Sequence, residues 1–272
     1  MSETDDLQNH RLAFASRSFC QNIPAKSLSD KRYIVRFVQN AEELDAVLKL
    51  RFEVFNLELG EGLQSSFETQ RDVDEFDDVC HHLIVIERRS NEIIGTYRMQ
   101  SFEMAAQKGF YTATEFDLSR VPTEIISNAV ELGRACIAKA HRNGRVLFLL
   151  WRGLALYMAF QQKRYLFGCC SLTSQNPAEG KAVMEYLIAL QHVREDVCVQ
   201  PLHDYVCYRK NESFDERINV KIPRLFRIYL EYGAQVCGPP AIDRHFKTID
   251  YLVLLDIQKL SEKQYHMFFH GV

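Results

Sequence analysis

Val130-Glu131-Leu132-Gly133-Arg134-Ala135-Cys136-Ile137, followed by His141-Arg142-Asn143-Gly144-Arg145 and a long apolar segment, is the stretch on which the fold turns. It reads as a buried strand, a glycine-containing turn and a helix, the unit from which layered α/β proteins are built. Two charges, Glu131 and Arg134, interrupt the apolar strand. Charged side chains are rarely buried alone, because desolvation costs several kcal/mol per ion. The pair therefore marks either a site or a structural ion pair tying the strand to its neighbours, and the local sequence weighs the two evenly.

Working outward, residues 33–38 read as a strand, and residues 41–55 as an amphipathic helix with Asn40 as its N-cap. Residues 60–70 read as a loop, followed by the acidic run 72–78. Residues 82–87 and 93–99 make a hairpin through Ser90-Asn91, and 104–127 is irregular. After the strand 129–137 come a helix at 147–163, a strand at 165–171 and a helix at 177–191 opening on Pro177. A helix at 223–232 and a strand at 251–257 close the pattern. One mixed sheet with flanking helices, α/β or α+β, accounts for this order. Residues 1–32 are expected to form an N-terminal arm, and 33–272 one domain.

Composition bounds the function. With 47% hydrophobic and 25% charged residues in 272, the chain has material for a sizeable core. A net charge of −3 gives no reason to expect a nucleic-acid partner. Residues 1–6 are acidic and polar, unlike a secretory signal. The longest apolar run, 146–160, contains Arg152 and falls short of the ~20 residues that span a bilayer. The cysteines lack CxxC spacing, so a reduced, cytoplasmic protein without a metal site is expected.

Several blocks, taken in order, carry a resemblance. They are Arg51-Phe52-Glu53-Val54-Phe55, Asp72-Val73-Asp74-Glu75-Phe76-Asp77, His82-Leu83-Ile84-Val85, Gly95-Thr96-Tyr97-Arg98 and Glu131-Leu132-Gly133-Arg134-Ala135-Cys136. Later come Leu150-Trp151-Arg152-Gly153, Leu166-Phe167-Gly168-Cys169-Cys170-Ser171, Tyr232-Gly233-Ala234 and the run from Asp243 to Asp250. Together, over about residues 33–270, they resemble the bacterial ornithine-lipid N-acyltransferases. A more distant likeness is to acyl-homoserine-lactone synthases and N-acyl amino acid synthases. The resemblance implies a GNAT acyl-CoA N-acyltransferase-like mixed sheet flanked by helices, with a C-terminal elaboration. It implies transfer of a 3-hydroxyacyl chain from acyl carrier protein to the α-amine of ornithine, giving lyso-ornithine lipid. The donor would ride on the carrier's phosphopantetheine, with no other cofactor. Alternatives are an N-acyl amino acid synthase using another acceptor, a homoserine-lactone-type signal synthase, and a non-catalytic carrier-binding protein.

The sequence departs from CoA-dependent relatives at Arg142-Asn143-Gly144-Arg145, where a glycine-rich phosphate loop is reduced to one Gly. At Ser171-Leu172-Thr173-Ser174-Gln175-Asn176-Pro177 it departs from the ornithine family's usual turn, which leaves the acceptor open.

Acylating an amine requires removal of a proton and a place for the developing oxyanion. Glu131 is the first candidate base, because a carboxylate in an apolar strand is held up towards neutrality. Arg134 and Asp74 complete the catalytic candidates, and backbone N–H groups from Cys136 to Ala138 are candidate oxyanion donors. Asp72 and Asp77, with Asp74, either order a loop over the acyl site or hold an acceptor's cationic groups. Arg51 lies on an apolar helical face and either pairs with that acidic run or snorkels to the surface. Arg98 is expected to fork onto the acceptor's α-carboxylate or to pair with Glu131. Phe55, Phe76, Trp151 and Phe167 are candidates to line an acyl tunnel, and His81 and His82 to supply a second base. Lys139, Arg142 and Arg145, with Arg152, form a basic patch suited to an acidic carrier protein. The basic and apolar segment 221–232 suggests peripheral contact with the inner face of the membrane.

Overall fold

The computed structural model describes residues 21–209, 211–214 and 218–272. The first 20 residues of the expected N-terminal arm lie outside the described residues. What is described of it forms β1 (Leu28–Ser29), which pairs antiparallel with β2 (Tyr33–Phe37).

Next comes α1 (Ala41–Phe52), capped by the Asn40 side chain, which accepts from Glu43 N. It widens into a π-helical turn, Glu53–Leu59, and stops at Gly60, whose φ of 70° favours a residue without a Cβ. Strands β3 (His81–Glu87), β4 (Ile93–Ser101) and β5 (Ala129–Ile137) are antiparallel neighbours. Helix α2 (Gly144–Gln161) begins three residues before the expected 147, because Asn143 accepts from the N–H groups of Arg145 and Val146. Strand β6 (Tyr165–Leu172) and helix α3 (Pro177–Ala189) follow, then α4 (Arg224–Glu231), β7 (Gln235–Val236) and β8 (Ala241–Asp243). The chain closes with β9 (Thr248–Asp256) and α5 (Glu262–Phe269). The region 104–127, expected to be irregular, holds single turns and a short ladder of Phe116–Asp117 with Gln200–Pro201.

The strands form one nine-stranded mixed sheet in the order β1-β2-β3-β4-β5-β6-β9-β8, with β7 also on β9. Among the described strands, β5 and β6 are the one parallel pair, and their pairing stops after Glu131↔Phe167. Beyond it the two strands diverge. Where they part, Gly168 presses against β5: a Cβ there would stand 2.2 Å from the Leu132 carbonyl oxygen. Strand β5 is also bulged, since Arg134 and Ala135 together face Tyr97 of β4. Arg134 takes up the bulge with a φ of 50°, a conformation that costs a non-glycine residue energy.

Alternation along the strands sorts side chains onto two faces. Tyr97, Leu132, Leu166, Cys170, Tyr251, Val253 and Leu255 pack with α2, α3 and α4. Residues of opposite parity, such as Arg98, Glu131, Phe167, Cys169 and Asp250, face the side of α1 and the 104–127 region. Helix α2 seats closely on the sheet at Gly153, where a Cβ would meet Leu83 at 2.6 Å. The seven described cysteines are free, five of them buried. Among the described residues, no helix is long and apolar enough to cross a membrane.

Candidate active site

The divergence of β5 from β6 opens a cavity of about 440 Å³ that passes through the sheet. On the α2 face its walls are apolar: Leu150, Leu166, Leu225, Phe226, Val253 and Leu255. The polar groups on that wall include the hydroxyls of Tyr97 and Tyr229, which bond each other at 2.9 Å. On the α1 face the walls carry charge: Glu61, Arg98, Glu115, Glu131, Arg134 and Asp250. One cavity thus offers an oily chamber and a charged chamber, joined at the gap between two strands.

Behind the charged chamber lies a buried lattice of three arginines and three aspartates. Arg51 Nε donates to Asp72 Oδ2 at 2.7 Å, and Arg51 Nη1 to Asp77 Oδ1 at 2.6 Å. Arg98 Nη1 bridges Asp74 and Asp77, while Arg134 Nη2 reaches Asp74 Oδ2 at 2.9 Å. Arg134 Nε stands 3.2 Å from Asp72 Oδ2. Its guanidinium is sandwiched between Phe246 and Tyr111, at 4.4 and 4.7 Å from the ring centroids. Equal numbers of opposite charges let this group persist without water. The arginine neighbours hold Asp77 well below the ordinary aspartate range despite its burial.

The lattice decides between several sequence alternatives. Arg51 pairs with the acidic run and has no exposed surface, so it does not snorkel. Arg98 pairs with Asp74 and Asp77, not with Glu131. Of the substrate-binding and catalytic candidates, Phe55, Arg98, Glu131 and Arg134 line the cavity; Arg51, Asp72, Asp74 and Asp77 stand behind its wall. Trp151 is in the core, stacked on Phe268 at 5.4 Å, and Phe76 packs against Tyr111, so neither lines the cavity; Phe167 does. His81 bonds Tyr157, and His82 approaches the Asp77 carbonyl; burial pushes both down to about 4, and neither faces the cavity.

Glu131 is held by three donors from one turn: Tyr111 N at 2.9 Å, Thr112 N at 2.7 Å and Thr112 Oγ1 at 2.6 Å. A carboxylate offers about four lone-pair sites, so one remains for the cavity. Burial raises its pKa above the ordinary value although these bonds oppose the rise. Of the expected oxyanion donors, Ala138 N is committed to the Ile94 carbonyl.

Three cavity carboxylates were not among the sequence candidates. Asp250 accepts from Ser171 Oγ and from Thr248 Oγ1. Glu61 accepts from Thr173 Oγ1, and Glu115 meets the Cys169 thiol. Burial pushes Asp250 up to about 6, Glu115 well above the usual range, and Glu61 upward. Ligand atoms of Glu115, Cys169 and Asp250 lie within 4.8 Å of one another, a spacing compatible with a bound cation.

The basic patch lies at the β5–α2 turn. Lys139, Arg142 and Arg145 are exposed; Arg142 pairs with Glu58, Arg145 with Asp30, and Arg142 reaches the cavity mouth.

Comparison with known proteins adds the following. The family model for the acetyltransferase (GNAT) domain matches residues 50–152. The L-ornithine N(alpha)-acyltransferase of Brucella abortus (strain 2308) is 31% identical over 242 residues, covering 84% of this chain and 86% of the relative. That of Rhodobacter capsulatus is 31% identical over 243 residues, 85% of this chain and 92% of the relative. Among solved structures, the AHL synthase LasI aligns with a TM-score of 0.47 at 14% identity, over 88% of this chain and 96% of its own.

Proposed function

The chain belongs to the L-ornithine N(alpha)-acyltransferase family and is an acyltransferase of GNAT fold; from that premise we propose that it moves a (3-hydroxy)acyl chain from acyl carrier protein to the α-amine of L-ornithine, forming lyso-ornithine lipid. The observation that carries this reading is the two-chambered cavity. An acyl chain fits the apolar chamber between the sheet and α2 and α4, where each buried CH₂ contributes about 0.8 kcal/mol. A zwitterionic acceptor fits the charged chamber. The two meet where β5 leaves β6, so the thioester carbonyl lies at the gap and the amine approaches it from the α1 side.

The amine arrives protonated, and Glu131, with one lone-pair site turned to the cavity, is the base that receives its proton. The nitrogen then attacks the thioester carbon and negative charge grows on the carbonyl oxygen; as the carbonyl re-forms, the C–S bond breaks and the nitrogen's surplus proton goes to the departing thiolate, releasing the carrier's thiol. Arg134, fixed by Asp72, Asp74 and two aromatic rings, keeps the bulged backbone of β5 in place beside the reacting atoms. Arg51 with Asp72, Asp74 and Asp77 positions Arg98 and Arg134 without touching substrate.

A carrier-bound donor is supported by the turn ahead of α2. The first amides of that helix are satisfied by Asn143, which leaves less for a pyrophosphate to bind, while Lys139, Arg142 and Arg145 offer positive charge to an acidic carrier. Release at the inner face of the membrane suits an amphiphilic product: α4 roofs the apolar chamber with Phe226 and Tyr229, sets the exposed Arg224 on the cavity lining and turns Arg227 outward.

The test is a purified-protein assay with 3-hydroxyacyl carrier protein and a panel of amino acids, following free thiol and product mass. Thiol release matched by N-acylornithine is expected. Release with a different amino acid only would replace the acceptor, and no release from folded protein would refute the reading.

A further inference from the structure

The carboxylates of Glu61, Glu115 and Asp250 share a cavity wall, and among the described residues no lysine or arginine forms an ion pair with any of them. Their hydrogen-bond partners are neutral: Thr173, the Cys169 thiol, Tyr111, Ser171 and Thr248. Asp243 nearby adds a further negative charge, already turned to the amides of His245 and Phe246. The arginines closest to hand belong to the lattice, where three positive charges meet three aspartates. A buried carboxylate without a paired cation is costly to ionise; Arg134, the cation that acts on Glu115 and Asp250, is committed to Asp72 and Asp74, and a ligand cation that brings hydrogen-bond donors removes the cost.

A second observation lies in the same cavity. Arg98 is 3% exposed, lines the wall, and its Nη2 is buried with no hydrogen-bond partner. An orphaned guanidinium N–H calls for an anionic acceptor. The charged chamber thus has an unfilled donor and an uncompensated set of acceptors, the pattern that complements a ligand with a carboxylate at one end and an ammonium at the other.

We propose that Glu61, Glu115 and Asp250 form a subsite for the distal ammonium of a diamino-acid acceptor, with Arg98 Nη2 receiving its α-carboxylate, an assignment that rests on the acyl-transfer reading above. An ammonium has three N–H donors; Glu115 and Asp250, whose ligand atoms lie within 4.8 Å of each other, and Glu61 on the same cavity lining offer carboxylate oxygens to accept them. The subsite selects the acceptor by what it leaves unpaired: a neutral side chain of the same length would fill the space and leave the carboxylates uncompensated. Sites built to bond a polar group reject analogues lacking it far more strongly than apolar pockets reject a missing methylene.

The experiment compares L-ornithine with L-norvaline, which has the same carbon chain without the terminal amine. Wild-type enzyme is expected to prefer ornithine in kcat/KM by on the order of 100-fold or more. Glu115→Gln, and separately Glu61→Gln, should cut that preference at least tenfold, mainly through KM for ornithine. Binding supplies a readout independent of turnover: ornithine, but not norvaline, should raise the Tm of wild-type protein, and the rise should vanish in Glu115→Gln. An ornithine preference unchanged in both variants overturns the subsite while leaving the acyl-transfer reading intact. Loss of turnover with every acceptor, alongside an ornithine-specific Tm rise that depends on Glu115, fails the reading of the reaction and keeps the subsite. Stabilisation by Zn²⁺ that depends on Glu115, with none by ornithine, assigns the group to a metal and overturns the proposal.

Discussion

Replacing Asp250 with Asn should make the protein more stable at alkaline pH while impairing its use of ornithine. Burial raises Asp250 from 3.8 to about 6. At about 1.36 kcal/mol per pH unit, that difference corresponds to roughly 3 kcal/mol of folding free energy. The sign follows from linkage. The folded protein binds the proton more tightly than the unfolded chain, so stability falls as pH rises through the window from 3.8 to about 6 and stays reduced above it. Asparagine has no such proton to lose. Its amide must point at the hydroxyl of Ser171 or Thr248, which can turn to accept it, at a cost of about 1 kcal/mol. The variant should therefore be more stable than wild type by roughly 1–2 kcal/mol at pH 8, and the difference should shrink at pH 5. His81 and His82 act in the opposite sense, since burial pushes them down to about 4, so their contribution is lost as pH falls. They are common to both proteins and cancel in the difference. Urea unfolding of the two proteins across this range gives the difference, to which Glu115 contributes in the same sense because the Asp250 charge helps to raise it. Parallel curves, or a variant less stable at pH 8, would refute the uncompensated burial of Asp250.

Arg51→Met leaves Asp72 and Asp77 buried with one fewer cation, and should lower unfolding free energy by about 3–5 kcal/mol in urea titrations. Gly168→Ala drives a Cβ towards the Leu132 carbonyl and should cost roughly 1–3 kcal/mol; stability within 0.5 kcal/mol of wild type would mean that the strands part more easily than their geometry suggests. Reversing charge at Lys139 and Arg145 together should raise KM for a carrier-bound donor roughly tenfold at low salt, an effect that shrinks in high salt. A short pantetheine thioester should be used equally well by both proteins. Glu131→Gln should lower kcat on the order of 100-fold or more with KM for ornithine little changed, measured by thiol release.

The central strands and helices were legible because period and caps agreed. Asn40 announces α1, Pro177 opens α3, and the apolar run in β5 carries its two charges plainly. The cavity residues on the late strand were not. The apolar run begins at Tyr251 and predicts a strand without Asp250, whereas β9 starts at Thr248 and places Asp250 opposite Ser171. Alternation of Thr248 and Asp250 was the available signal, masked by Ile249. Glu115 sits in a region without period, and its role depends on a contact with Cys169 made across 54 residues. For the acidic run the sequence left two alternatives, a loop-ordering role with Arg51 or a surface for an acceptor's cations; the pairing with Arg51 is found, and Arg98 and Arg134, distant in sequence, complete the neutral interior. Trp151, one of four aromatic candidates for an acyl tunnel, is plain core among its neighbours Tyr229, Tyr232 and Phe268.

The arginine–aspartate lattice has a consequence for the order in which the molecule assembles. Its members come from α1, the 72–77 loop, β4 and β5, so it cannot close until segments as far apart as Arg51 and Arg134 have met. Long loops must be closed first, and six charges must leave water together; half-formed, the lattice would be a set of stranded ions. From the cost of closing those loops, contacts of that kind are expected to form after the rate-limiting barrier to folding. They set how slowly the finished protein comes apart, while leaving the speed of its formation to the hairpin of β3 and β4 and the helix across it. The lattice behind the catalytic wall is in this sense a latch, fastened last, whose worth is read in the lifetime of the native state.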